Sequence, residues 1–176
     1  ADPAYSRLIT REAAKIGERF VREGIIGRFA LDFLTVKNES GAWEPYAIEV
    51  NLRKGGTTHP FLTLQYLTDG IYDAESGEFT TELGERRYYV ASDHVESAAY
   101  RLFTPDDLLD LISIHRLTFD QTCQTGVILH IFSAVGELGR LGVTCIHGTP
   151  QRARALYDDF VALLDREAER RGDSKQ

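Results

Sequence analysis

The chain lacks most of what would mark a protein for a membrane, a nucleic acid or a secretory route. No run approaches the roughly 20 consecutive apolar residues that a transmembrane helix needs. The opening residues, ADPAYSRLITREA, carry neither a hydrophobic signal core nor an arginine-rich transit pattern. Cysteine is scarce: Cys123 and Cys145 are the only two, in no CxxC spacing. That favours reduced core thiols in a cytoplasmic protein over a disulfide framework or a zinc site. An excess of positive charge is also missing. The net charge is -7, and only the short RRGDSK stretch clusters basic residues, so neither nucleic acid nor an anionic membrane is an expected partner. No strand–glycine–helix phosphate loop occurs, which argues against Rossmann and P-loop domains. Ser113, Ser133 and the cysteines sit in no nucleophile elbow. His94, His115, His130 and His147 show no HxxxH pairing and are expected to be structural, with His130 on the face of Ile128 and Phe132 at a core edge.

What is present is ordinary globular material, 43% hydrophobic and 27% charged over 176 residues. That length suits one domain with a substantial core. Apolar spacing over REAAKIGERFVRE predicts a helix ended by Gly24. GRFALDFLTV alternates as a strand, KNESGAW is turn chemistry, and a second strand follows, so the three together predict a β-hairpin. FLTLQYL suggests a short buried helix, YDAESGEF a polar turn, and RRYYVAS a strand. Thr104 and Pro105 open a helix over TPDDLLDLISIH. GVILHIF and GVTCI are strands joined by the loop SAVGELGRLG, and Thr149 caps a long closing helix with GDSKQ fraying. The expected class is α+β, with mostly antiparallel strands and flanking helices.

The second strand of the hairpin, YAIEVNLRKGGTTHP, places Glu49, Asn51 and Arg53 on one face. A turn centred on Ser40–Gly41 pairs Asp32 with Glu49 and Phe33 with Ile48. Two carboxylates are then opposed with side chains about 5 Å apart, and Asn51 lies diagonal to them; opposed like charges are destabilising unless something offsets them. A hard divalent cation is the economical answer, since Mg²⁺ takes carboxylate, amide and phosphate oxygens. The alternative is a solvated outer face screened by Arg53 or Arg28. Arg53 continues the row and suits a phosphate or carboxylate. KGGTTHP then adds glycines that let a ligand approach the backbone.

Residues 24–60, GIIGRFALDFLTVKNESGAWEPYAIEVNLRKGGTTHP, resemble the metal-binding hairpin of the ATP-grasp ligases, with a G-x-D-F strand, a turn and x-E-x-N-x-R. NLRKGGTTHP and GVTCIHGTPQRARALYDDF are further similar to amino-acid and peptide ligases of the pheganomycin-ligase type. The resemblance implies the C-terminal lobe of an ATP-grasp fold: a partial lobe over residues 1–70, and a family-specific extension over 71–176 that packs on it and ends in a long helix. It implies ATP and Mg²⁺ (or Mn²⁺), and an amide formed from a carboxylate and an amine through an acyl phosphate. Asp32, Glu49 and Asn51 fall on the metal ligands. Arg53 falls on the arginine that steadies acyl-phosphate oxygens, and Lys54, Thr57, Thr58 and His59 on substrate or phosphate contacts.

The family's adenine pocket and phosphate-binding lysines have no counterpart ahead of this hairpin. The expectation is therefore a half-site, inactive alone and completed by an N-terminal portion or a partner chain, with a homodimer possible through an uncovered apolar face. A non-catalytic binding module that keeps the hairpin as scaffold is the competing expectation.

Overall fold

The computed structural model describes residues 3–73 and 75–173. Helix α1 (Pro3–Arg22) precedes the hairpin β1 (Ala30–Lys37) and β2 (Trp43–Asn51). Then come α2 (Thr58–Thr68), β3 (Ile71–Asp73), β4 (Glu78–Thr80), β5 (Tyr88–Glu96), α3 (Pro105–Ile114), β6 (Gly126–His130), α4 (Val135–Leu138), β7 (Arg140–His147) and α5 (Pro150–Asp173). The strands form two antiparallel pairs, β1–β2 and β3–β4, and an antiparallel sheet in the order β5-β7-β6. The fold is α+β, and no helix among the described residues is long and apolar enough to cross a membrane.

Four stretches differ locally from the sequence expectation. YDAESGEF contains the β3–β4 pair as well as a turn, because the Asp73 carboxylate accepts from the Glu75 N–H and the Ser76 hydroxyl and so folds the chain back on itself. SAVGELGRLG is not plain loop but a 3-10 turn followed by α4. Cys123 is exposed, with its Sγ 3.0 Å from the Thr125 hydroxyl, whereas Cys145 is buried as expected and burial pushes its thiol up to about 12. Both thiols are free. Of GDSKQ, Gly172 and Asp173 are helical; the last three residues lie outside the described ones.

The core gathers on β7, which is buried on both faces. Leu141, Val143 and Cys145 point into one cluster with Phe160, Leu163 and Leu164 of α5 and Leu108 and Ile112 of α3. On the other face, Ile146 packs with Leu64 of α2 and Phe79 of β4. Gly70 is needed there, since a Cβ would come within 2.4 Å of the Phe79 ring. Thus α2 is held by the second face of the sheet, across the boundary expected near residue 70.

The hairpin layer is built differently. Schellman-type bonds around Gly24 (φ +75°) end α1, with the Ile25 N–H donating to the Phe20 carbonyl. Edge-to-face pairs Phe20–Phe29 and Tyr5–Trp43 lay α1 along the hairpin. Yet no hydrophobic residue ahead of Leu64 joins the fully buried core among the described residues. Leu34, Val36, Tyr46, Ile48 and Leu52 stay substantially exposed.

The stability of the fold should therefore reside in the β5-β7-β6 unit. Phe160→Ala is expected to cost about 3–5 kcal/mol, and Ile48→Thr to stay within about 0.5 kcal/mol, both read from urea unfolding midpoints. Comparable losses would contradict this division.

Helix α3 gives a second test. Thr104 and Asp107 form a capping box, and the Arg171 guanidinium donates to Asp107 at 2.7 Å. Arg171 first, and then the Thr104 N–H and hydroxyl, hold the Asp107 carboxyl well below its ordinary 3.8. A depressed folded-state pKa adds stability that is complete above the unfolded value and lost as the pH falls through the folded one. Asp107→Asn should thus flatten the drop in stability between about pH 4 and pH 2, and an unchanged drop would rule this pair out as its source.

Candidate functional site

Two features converge where β2 runs into α2. The first is the carboxylate pair. Asp32 and Glu49 are Cα partners, as the simple register predicts, and Ala30 pairs with Asn51 one step on either strand from Leu31–Val50. Regular pairing on this stretch puts Asp32, Glu49 and Asn51 on one face. Beyond it the register differs from expectation: a bulge lies between Asp32 and Phe33, so that Phe33 pairs with Ala47 and Ile48 is the extra residue. The turn shifts with it. Asn38 organises that turn, its Oδ1 accepting from the Ser40 and Ala42 N–H groups while Gly41 takes φ +80°. The bulge preserves the acidic pair because the slip falls entirely on its turn side.

Neither carboxylate has a hydrogen-bonding or ion-pairing partner among the described residues. The screening by Arg28 or Arg53 that a solvated face would use is not made: Arg28 lies over the Phe61 ring, and the Arg53 side chain donates to the Lys54 carbonyl. The described residues hold no group of three or more His, Cys, Asp and Glu side chains able to bind a metal, so the hairpin offers two carboxylates and one amide.

The second feature is a cleft of about 540 Å³ between the Gly55–Pro60 segment and the second face of the sheet. It brings Thr57 and His59 together with Tyr89, Asp93 and His130, and leaves Arg53 and Lys54 outside, exposed at the strand end. Thr58 does not line the cleft, and its hydroxyl accepts from the Gly55 N–H at 3.2 Å. Gly55 is required for the approach, because a Cβ there would sit 2.9 Å from that of Ala30. Through this contact the floor of the cleft abuts the residue paired with Asn51. The acidic pair lies about 7 Å further along the strands.

Sequence reasoning missed three residues here. His130 pairs with Gly142, and its ring lies on that glycine, where a Cβ would come within 2.3 Å. The ring stands 4.6 Å from the His59 ring, and its Nε2 lies 3.4 Å from the Thr144 hydroxyl. Burial lowers the His130 pKa, with His59 adding to the effect and a Val143 backbone hydrogen bond and Asp93 opposing it. Asp93 reaches the cleft on a bulge between Ser92 and Val95, tied by the Arg140 guanidinium to its backbone carbonyl rather than its carboxylate. Ile131, at the rim, takes φ +56°, an unusual conformation for a β-branched residue. No spacing in the chain could announce a pairing of His59 with His130; only the core-edge position of His130 was visible.

Comparison of the chain with protein-family models, with curated proteins and with solved structures returned no match.

In ring NMR titrations His130 should protonate below the ordinary 6.5. Gly142→Ala should displace the ring and return the midpoint toward that value, at a cost of about 1–3 kcal/mol in stability. A midpoint unmoved by the added methyl would mean that the ring does not rest on Gly142.

Proposed function

We propose that this chain carries the metal-binding hairpin of an ATP-dependent carboxylate–amine ligase of ATP-grasp type, working through an acyl phosphate. A single observation carries the reading: Asp32 and Glu49 are direct cross-strand partners with no positive group or hydrogen-bond donor to offset them among the described residues. Opposed like charges cost stability, and a divalent ion with oxygen ligands removes that cost. The donor set of Asp32, Glu49 and Asn51 fits Mg²⁺ or Mn²⁺. Such an ion, when bound, neutralises charge developing on a transferred phosphoryl group.

The chain's own residues follow the same logic. Arg53, exposed at the end of the strand, presents a guanidinium fork suited to acyl-phosphate oxygens. Lys54 supplies an exposed cation beside it, and Thr57 and His59 line the adjoining cleft. Thr58 holds the Gly55 turn and so positions that wall, its hydroxyl proton being free of the Gly55 contact to meet a substrate or phosphate oxygen. The adenine-binding part is supplied in this reading by a further portion of the protein or a partner chain, or a second copy covers the same surface. The exposed row of Leu34, Val36 and Tyr46 beside the acids supports such a cover. Dependence on ATP and two unpaired thiols support a cytoplasmic setting.

The same apolar row favours a second reading, a non-catalytic interaction module that keeps the hairpin as scaffold. A Mn²⁺ titration followed by EPR, on the chain and on Glu49→Gln, separates the two. The ligase reading expects saturable binding weakened at least tenfold in the variant. Non-saturable behaviour that is identical in both proteins favours the interaction module.

A further inference from the structure

We propose that the cleft between Gly55–Pro60 and the sheet is a binding site for a primary ammonium group carried on an apolar body. Its assignment as the acceptor-amine site rests on the ligase reading above; the binding itself does not. Asp93 brings a full negative charge to the cleft, and its carboxylate has no ion pair or side-chain hydrogen bond among the described residues. The Arg140 guanidinium donates instead to the Asp93 backbone carbonyl, at 2.9 Å. The bulge in β5 is what turns this residue out of the ladder and toward the opening.

The remaining walls decide what else the ligand must be. Tyr89, Ala91, Pro60 and Ile131 give a largely apolar lining, and Pro60 is itself buried. A hydrated cation without apolar surface gains little from such walls, whereas an amine with a short branched chain buries its carbon skeleton against them. The imidazole pair then sets the charge at the floor. Burial of its ring on Gly142, and then the His59 ring with its centroid 4.6 Å away, favour the neutral form of His130. A neutral imidazole can accept a hydrogen bond from an ammonium and stack against it; a charged one would repel it.

Position adds to the chemistry. The Gly55–Ala30 contact joins the cleft to the base of the hairpin, two residues along each strand from the Asp32–Glu49 pair. An amine held there lies beside the place where the ligase reading puts the activated carboxyl. Under that reading the amine nitrogen, once it has given a proton to solvent, bonds to the acyl carbon. The bond to the phosphate oxygen breaks, and the nitrogen's second proton ends on the released phosphate. The products are an amide and inorganic phosphate.

The test uses L-leucinamide as the probe and its uncharged analogue 4-methylpentanamide as the control, without ATP or metal. Binding is followed through the ring signals of His59 and His130 at pH 7.5. Leucinamide should shift both signals saturably, Asp93→Asn should weaken that binding at least tenfold, and the uncharged analogue should leave the signals in place. Absence of any shift, or equal shifts with the analogue or in Asp93→Asn, would overturn the proposal. Because the assay needs no metal, a failed Mn²⁺ titration beside successful leucinamide binding removes the ligase assignment and leaves the ammonium site. The reverse pair of results removes the ammonium site alone.

Discussion

Burial of β7 on both faces is the constraint from which the rest of the molecule follows. Leu141, Val143 and Cys145 must lie under α5 and α3, which leaves Gly142, Thr144 and Ile146 pointing the other way. Ile146 then needs cover of its own, and Leu64 and Phe79 supply it, which is how α2 comes to rest on this sheet. Where Ile146 ends and Gly142 begins, the cover ends as well. The missing side chain at Gly142 admits the His130 ring, and the start of α2 brings His59 and the two glycines to meet it. The cleft is thus the unfilled end of a face whose other end is core.

The hairpin stands outside this packing and is organised by local chemistry instead. Asn38 sets its turn, aromatic pairs hold it to α1, and a bulge absorbs the register difference on the turn side of the acids. Its outer face carries unopposed charge and exposed apolar groups side by side. The like charges are opposed across the strands, which costs stability, and the apolar groups form a row rather than standing singly. In the proposed reading a cation meets the carboxylates and a cover meets the apolar row, both on the strand pair that leads into the cleft. The metal site and the cleft in that proposed reading therefore lie at the same end of the hairpin.

Much of this was legible in the sequence where the signal is local. The capping residues Thr104 and Thr149, the Gly24 stop and the Asp32–Glu49 opposition all rest on contacts between residues near in the chain or joined by one tight turn. The Ile48 bulge was not legible, because an extra residue changes no composition and the apolar run Tyr46, Ala47, Ile48 has no period that would place it. The β3–β4 pair was hidden for a different reason: three-residue strands carry no usable period, and YDAESGEF shows only its turn. Asp93 and His130 reach the cleft through a bulge and a glycine on a third strand, relations that exist only after the sheet has formed. Cys123 misled because scarcity of cysteine says nothing of which one is buried.

The central claim is that a divalent ion belongs on the hairpin face. Backbone amide NMR spectra recorded with increasing Mn²⁺ test it most directly, since paramagnetic broadening falls steeply with distance from the bound ion. The account predicts that amides of residues 31–33 and 48–52 broaden first and that those of β6 and α5 persist. Broadening that begins elsewhere, or spreads evenly over the exposed acids of the surface, would contradict it.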